Sequence, residues 1–502
     1  MRWNRVLTAL VAGSLAAQMA AAQGKCEFDE SKPRALPLAG LSLSKASMSK
    51  DPAERAKNFR EVIRVLSDPK ISAENPEGRS WYMGQAIASW MGDPGMPPSF
   101  ITTRGVIGLP DTPEAKVDLV VLLDSLFTVV ERANQACVAM TSPWRAQRPW
   151  FSLVQASFAQ LSGGNADSAI TLAQRSRILN RSSAYGPYVI GSASANKKDA
   201  ATARTMLTEA VRLAGADTSY NDIRLRSLLM IARMSAEKSE QSTGAEKEAA
   251  TRQAVVDLKE FLAVGSNDSD AVPARGMLAD MLITLKDTAG VLAVYSDLLV
   301  NPAKYGDYEK VAAGVTFTRL NKNAEATRMF ELALEQNPWQ RDALNNTAAS
   351  YFALQRFKEM VPVAQRLTTV DPNNPDNWLW FAYAYQGIGK VYTAKDAASV
   401  KLRKAFTDSV VKYSERSEKM TVRVTFSNFF RGQNETTLTG QVENRGTAAK
   451  NVVFAVEFID KDGNVLGTGE AKLDALAPKK SQDFKVTLTK GGITAFKYKP
   501  IE

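Results

Sequence analysis

Two consecutive stretches constrain this chain more than anything else in it. Residues 307–340 read DYEKVAAGVTFTRLNKNAEATRMFELALEQNPWQ and residues 341–374 read RDALNNTAASYFALQRFKEMVPVAQRLTTVDPNN, each 34 residues long. Gly314 falls opposite Ala348, Phe317 opposite Tyr351, Leu320 opposite Leu354, Phe330 opposite Ala364 and Pro338 opposite Pro372. Small residues stand where two helices must approach closely, large apolar residues recur at helical spacing, and a proline closes each unit. A unit this short cannot bury its own apolar face, but stacked copies can. The period therefore predicts an array of helix hairpins.

The pattern resembles the tetratricopeptide repeat. Gly314, Phe317, Ala326, Phe330, Ala333 and Pro338 occupy that family's positions in the first stretch. The resemblance implies a mainly α fold, an α-solenoid of helix hairpins. Extended along the chain, the template matches Leu153, Ala156, Ala169 and Ala173 in 150–183, then Gly191, Ala203, Leu207 and Ala210 in 184–217. It matches Met277, Leu278, Met281, Val294 and Pro302 in 271–304, and Trp378, Phe381, Ala382 and Tyr385 in a unit opening at Pro375. Residues 218–270 break the period and are expected to form one repeat, with EKSEQSTGAEKE as a polar, mobile hairpin loop. The charged helix from about Asp396 to Lys419 is expected to cap the array.

The remaining boundaries follow from composition. Residues 1–22 carry Arg2 and Arg5, a short apolar run and Ala20-Ala21-Ala22, the pattern of a secretory signal cut before Gln23. No other stretch is apolar for long enough to span a membrane, so the mature chain is expected to be exported, in the periplasm, cell-envelope associated or secreted. Residues 23–50, rich in Ser, Lys and Pro, are expected to be an extended arm. Residues 51–149 are expected to be helical, built of degenerate repeats, with a helix opening at Pro52, another at Ser80–Gly92, a Pro-rich loop over 93–113 and one long apolar helix over 117–140. The repeat array spans 150–420. Cys26 and Cys137, the 2 cysteines, leave two readings open: one disulfide in an exported chain, or two separate thiols. Lys25 ahead of Cys26 departs from a lipoprotein cleavage motif.

From Thr421 the periodicity changes to strict alternation. Val422, Val424 and Phe426 lead, Val452, Phe454, Val456 and Phe458 follow, Asp462-Gly463 signals a hairpin, and Phe484, Val486 and Leu488 alternate again. Residues 421–502 are therefore expected to form a small all-β, immunoglobulin-like sandwich. Gly440–Asn444, Phe458–Gly463 and Leu476-Ala477-Pro478 resemble the FxLYD domains of bacterial envelope proteins, which implies an accessory module.

No histidine is present, which removes every Ser-His or Cys-His arrangement, and 2 cysteines exclude a Cys-based zinc site. Phosphate loops and nucleophile elbows are absent too. The chain reads as a non-enzyme without cofactor or metal. Its formal charge of +10 is a mild bias over 502 residues, read as a solvated surface and not a nucleic-acid footprint. In the family it resembles, the first helix of each repeat lines a concave groove. Carried over by register, the groove positions include Phe158, Tyr185, Tyr188, Arg275, Tyr308, Arg319, Asn345, Phe352 and Tyr383. Such a lining implies capture of an extended peptide or an amphipathic helix of another protein. Val311, Val315 and Ala349 replace the polar residues of the carboxylate-binding subtype and leave Asn345 alone. The function expected is a protein–protein interaction scaffold or assembly factor of the bacterial cell envelope. The alternative is an accessory protein that binds envelope polysaccharide or peptidoglycan.

Overall fold

A computed structural model describes residues 25–93, 99–146, 148–266, 268 and 270–501. The segment 1–22, expected to be a secretory signal, lies outside them, as do residues 94–98 of the Pro-rich stretch. The chain divides into two units, Met1–Glu237 and Lys238–Glu502.

The first unit opens with α1 (Ala35–Met48), α2 (Pro52–Leu66), the short α3 (Pro69–Glu74) and α4 (Pro76–Met91). One device starts α2, α3 and α4. The side chains of Asp51, Asp68 and Asn75 accept from an N–H two or three residues on, with proline at the first helical position. The cap satisfies an orphan donor, and the proline presets a helical φ where no N–H is needed. Helix α1 corrects the expectation of an extended arm over 23–50. Leu36, Ala39 and Ala46 form a buried stripe packed into one core with Phe59, Ile63, Met83 and Ile87. Interspersed serines and small apolar residues give that stripe little contrast, so its period is faint in the sequence.

The Pro-rich stretch is not wholly loop. Strand β1 (Ile101–Thr103) pairs antiparallel with β2 (Lys116–Asp118), and α5 (Arg104–Ile107) lies between them. Phe100, Ile107 and Leu109 are buried in the same core and draw the segment into structure. The expected single helix over 117–140 is also corrected. Helix α6 (Leu119–Ala133) stops at Asn134, whose side chain accepts from the Ala136 N–H and starts a 3-10 turn; α7 (Val138–Arg145) follows. Two regular hairpins come next, α8 (Arg148–Ser162) with α9 (Ala166–Leu179) and α10 (Tyr185–Asn196) with α11 (Ala200–Ala214).

Helix α12 (Asn221–Gln241) carries the boundary between the units, and α13 (Gly244–Val264) follows after Ser242 and Thr243. The expected mobile loop EKSEQSTGAEKE is thus mostly helix. Its Glu, Lys and Gln residues are good helix formers, and the turn falls at Gly244, with φ of +58°. In the second unit α14 (Ala271–Thr284) pairs with a helix broken at Tyr295 into α15 (Thr288–Val294) and α16 (Ser296–Val300). The regular hairpins are α17 (Asp307–Arg319) with α18 (Asn323–Gln336), α19 (Arg341–Ala353) with α20 (Phe357–Val370), and α21 (Pro375–Gly389) with α22 (Ala397–Glu418). At Gly314 an added Cβ would lie 2.4 Å from the Phe330 ring, so the two helices of that hairpin approach only because glycine is there.

The β domain forms two antiparallel three-stranded sheets. One runs β3 (Val422–Arg431), β4 (Thr436–Asn444), β7 (Ser481–Leu488); the other runs β6 (Val465–Leu476), β5 (Lys450–Ile459), β8 (Ala495–Tyr498). The alternating apolar residues of both sheets, among them Val424, Val442, Phe454, Val456, Phe484 and Val486, share one core. Asp460 accepts from the N–H groups of Asp462 and Asn464 and shapes the Asp462-Gly463 turn. Gly463 has φ of +86° and sits against the Trp339 indole, where a Cβ would be 3.0 Å from Nε1.

Candidate interaction sites

Helices α19 and α21 present an aromatic ledge. The Phe352 ring lies 5.5 Å from Tyr383, 6.1 Å from Phe357 and 6.2 Å from Trp380, centroid to centroid. Phe352 is 43% exposed and Tyr383 38% exposed. Trp380 Nε1 donates to Asn345 Oδ1 at 3.1 Å. That bond fixes the Asn345 carbonyl on Trp380, and its NH2 group has no partner among the described residues. The arrangement offers apolar area and a fixed pair of amide donors. Beneath it, Arg356 donates to Glu331 at 2.9 Å and lies 4.2 Å over the Tyr351 ring. Burial, with the hydrogen bond to Glu331, pushes the Tyr351 hydroxyl up to about 12.

The other groove positions are engaged elsewhere. Arg275 donates to Glu309 at 2.7 Å and lies over Tyr305, and Arg319 pairs with Asp280. Tyr308 donates from its hydroxyl to the Phe429 carbonyl of β3 at 3.1 Å, and the Arg431 guanidinium stacks 3.9 Å above its ring. The β domain therefore covers α17 at Tyr308. In the first unit, Phe158, Tyr185 and Tyr188 do come together: Phe158 stacks on Tyr188 at 5.9 Å and meets Tyr185 edge-on at 6.0 Å. Tyr185 also packs on Trp150 and Tyr220, and Tyr188 is only 8% exposed. This is a largely closed aromatic cluster, not a ledge.

Sequence reasoning missed how the repeats hold the β domain. Asp307 and Arg341 are 34 residues apart, as are Asn337 and Asp371, so the same two register positions of both repeats serve the contact. Arg431 of β3 makes two bonds to Asp307, at 2.7 and 3.1 Å, and Asn337 Nδ2 bridges Asp307 to the Thr494 carbonyl. One repeat later, the fully buried Asp371 carboxylate accepts from Arg341 Nε at 2.8 Å and from the Tyr498 hydroxyl of β8 at 2.7 Å. Asn373 adds a side-chain clamp. Its Nδ2 donates to the Ile501 carbonyl and its Oδ1 accepts from the Ile501 N–H, while the Val424 N–H donates to its backbone carbonyl. That last bond caps part of the exposed edge of β3. Burial, then the nearby Asp371 carboxylate, pushes the Tyr498 hydroxyl well above its usual range.

The first unit is tied differently. Cys26 and Cys137 form a disulfide across 111 residues of sequence. Around it Asn134 Nδ2 donates to the Lys25 carbonyl, and Asn75 Nδ2 donates to the carbonyls of Asp29 and Lys32.

Among the described residues no helix is long and apolar enough to cross a membrane, and no group of three or more His, Cys, Asp or Glu is placed to hold a metal ion. These elements define the class: a mainly α protein of tetratricopeptide-like helix hairpins followed by a small β sandwich. No family model matches the chain. Among solved structures it is similar to a tetratricopeptide repeat protein from Parabacteroides merdae, with 13% identity, 51% of this chain and 98% of that chain covered, and a TM-score of 0.30. It is also similar to PilF of Pseudomonas aeruginosa (14% identity, 44% and 90% covered, TM-score 0.28). A third is a thermophilic TPR protein of Thermus thermophilus (17% identity, 40% and 98% covered, TM-score 0.25). At such identities and scores, only the chain's own side chains speak to function.

Proposed function

We propose that this chain is a non-enzymatic interaction scaffold or assembly factor of the bacterial cell envelope, and that it captures an extended peptide of another protein on the ledge of Phe352, Trp380 and Tyr383. The observation that carries this is the exposure of Phe352 and Tyr383 beside the oriented Asn345 amide. Stacked aromatic surface binds apolar side chains, and an amide with free N–H donors recognises a backbone carbonyl. An extended peptide has such carbonyls to offer, whereas a helix has already used its own. Export is supported by the charged, apolar and small-residue order of residues 1–22. The β domain is taken as an FxLYD-type module on the residues Gly440–Asn444 and Phe458–Gly463.

The test is photo-crosslinking in the native host from an unnatural amino acid at position 352 or 383, with position 408 on the last helix as control. One or a few proteins should be captured from the ledge alone, and each crosslink should map to an extended segment. Capture of no protein, or equal capture from all three positions, would overturn the reading. Mass spectrometry of the same protein reports its N-terminus, expected at Gln23.

A further inference from the structure

The first unit contains a cavity that neither the ledge nor the socket of the β domain explains. Its volume is about 580 Å³, within the roughly 300–1,000 Å³ of small-molecule sites. It opens between α1, α2 and α4, with Phe59 and Trp144 among its apolar walls. Gln85 and Ser89, one turn apart, line the cavity from α4, while Met83, Ile87 and Trp90 of that helix are buried. Both are half-buried, and neither side chain has a hydrogen-bond partner among the described residues. Polar side chains in a cleft that the protein does not satisfy are free for water or a ligand.

The charge of the lining narrows the ligand. Its charged members are Arg55 and Asp93, and they satisfy each other. Arg55 Nε lies 2.9 Å and Nη2 3.3 Å from the two carboxylate oxygens, and Nη1 donates to the Lys50 carbonyl at 3.1 Å. No uncompensated charge remains in that lining to draw an ion out of water. A wholly apolar ligand would strand the Gln85 amide and the Ser89 hydroxyl against it, at the cost of their desolvation. A neutral ligand with one apolar face and several hydroxyl or amide groups meets both conditions. A sugar ring is such a molecule: its C–H face lies on an aromatic ring and its hydroxyls exchange hydrogen bonds with amide and hydroxyl side chains.

We infer that this cavity binds a unit of a neutral oligosaccharide. The inference does not depend on the peptide ledge. The test uses the full mature chain and an array of neutral glycans, including chitotriose, maltotriose and cellotriose, with uronic-acid trisaccharides as the charged comparison. Binding is followed by calorimetry and tryptophan fluorescence. At least one neutral glycan is expected to bind saturably, with a change in tryptophan emission. Gln85→Leu should weaken it about tenfold, which is what loss of a hydrogen bond of about 1.4 kcal/mol gives. Ser89→Val should weaken it several-fold and serves should Gln85→Leu fail to fold. Phe352→Ser should leave glycan affinity unchanged. Failure of every neutral glycan to bind, preference for the charged ones, or affinity unchanged in the folded cavity variants would overturn the inference.

Discussion

The two units close themselves by different chemistry. The first has a covalent tie, Cys26–Cys137, spanning 111 residues. The second holds its β domain through buried polar groups, with Asp307 and Asp371 bound to Arg431, Arg341 and Tyr498. A disulfide acts mainly on the unfolded chain, by removing conformations it would otherwise have. A buried ionic socket acts on the native state: it is tolerable only while every member is satisfied, and it penalises loss of one partner far more than loss of the set. The first unit should therefore respond to redox conditions, and the second to single substitutions in its socket.

The largest expected effect is in the socket. Asp371→Ala leaves Arg341 Nε and the Tyr498 hydroxyl without their acceptor, while Arg341 Nη1 keeps its bond to Asp342. Stranding one partner of a buried pair costs about 3–5 kcal/mol. In calorimetry the transition of the second unit should fall by several degrees or more, while that of the first unit stays. A double change to apolar residues, Asp371→Leu with Arg341→Met, should recover part of the loss. Equal losses in the single and double variants would show that packing, not charge satisfaction, sets the contact.

Next is the disulfide. Reduction, or Cys26→Ser, should lower the first unit by about 2–4 kcal/mol, with an upper bound of about 4–5 for so long a loop. Melting with and without reductant reads this directly. A shift shared equally by both units would remove the contrast between them.

Alkaline pH acts on both units, because burial and the hydrogen bond to Glu30 also raise the Tyr82 hydroxyl of the first, but in the second it acts on the contact with the β domain. Burial pushes Tyr308 up to about 12 and Tyr498 well above its usual range. Both hydroxyls are thus held protonated in the fold at pH values where the unfolded chain, at about 10, ionises. The sign follows. Their contribution is fully present below about pH 10 and is lost as pH rises through the folded values. The loss approaches about 1.4 kcal/mol per pH unit for each such tyrosine. Urea midpoints of the second unit, taken from about pH 8 to about pH 11, should fall along that limb. Tyr498→Phe should start lower, having lost the bond to Asp371, and fall less steeply. An unchanged slope in Tyr498→Phe would exclude that hydroxyl from the linkage.

The sequence makes some of this visible and hides the rest for physical reasons. The repeat shows because close helix approach leaves a mark: only a residue without Cβ fits at Gly314 against Phe330. The β domain shows because a strand buried on one face must alternate. The socket is hidden because Asp307, Asn337, Arg341 and Asp371 stand at helix starts and in repeat loops, where polar residues are ordinary and cap helices. Nothing local marks Tyr308 as covered, since the strand above it comes 121 residues later. Register selects Phe352, Tyr383 and Asn345 as groove positions but passes over Trp380, which the structure joins to them. A tryptophan three residues before Tyr383 was the available signal. Helix α1 is hidden because serine and alanine can line a packed helix without producing a strong apolar stripe.

The smallest expected effect on stability is also the most informative about function. Phe352 and Tyr383 lie at the surface, whereas Tyr188, from the first unit's cluster, is 8% exposed. Phe352→Ser removes a ring that solvent already reaches on one side and should change stability by no more than about 1 kcal/mol, as surface substitutions do. Tyr188→Ala removes buried volume and should cost more, because its neighbours collapse only partly. If the ledge exists for a partner, Phe352→Ser and Tyr383→Ser should abolish crosslinking from a probe at position 349, one turn from Asn345 on α19, while leaving both melting transitions in place. A large loss of stability in Phe352→Ser would instead make that ring a packing element, alike in kind to Tyr188. The distinction between a closed aromatic cluster and an open ledge would then disappear, and the case for peptide capture on α19 and α21 with it.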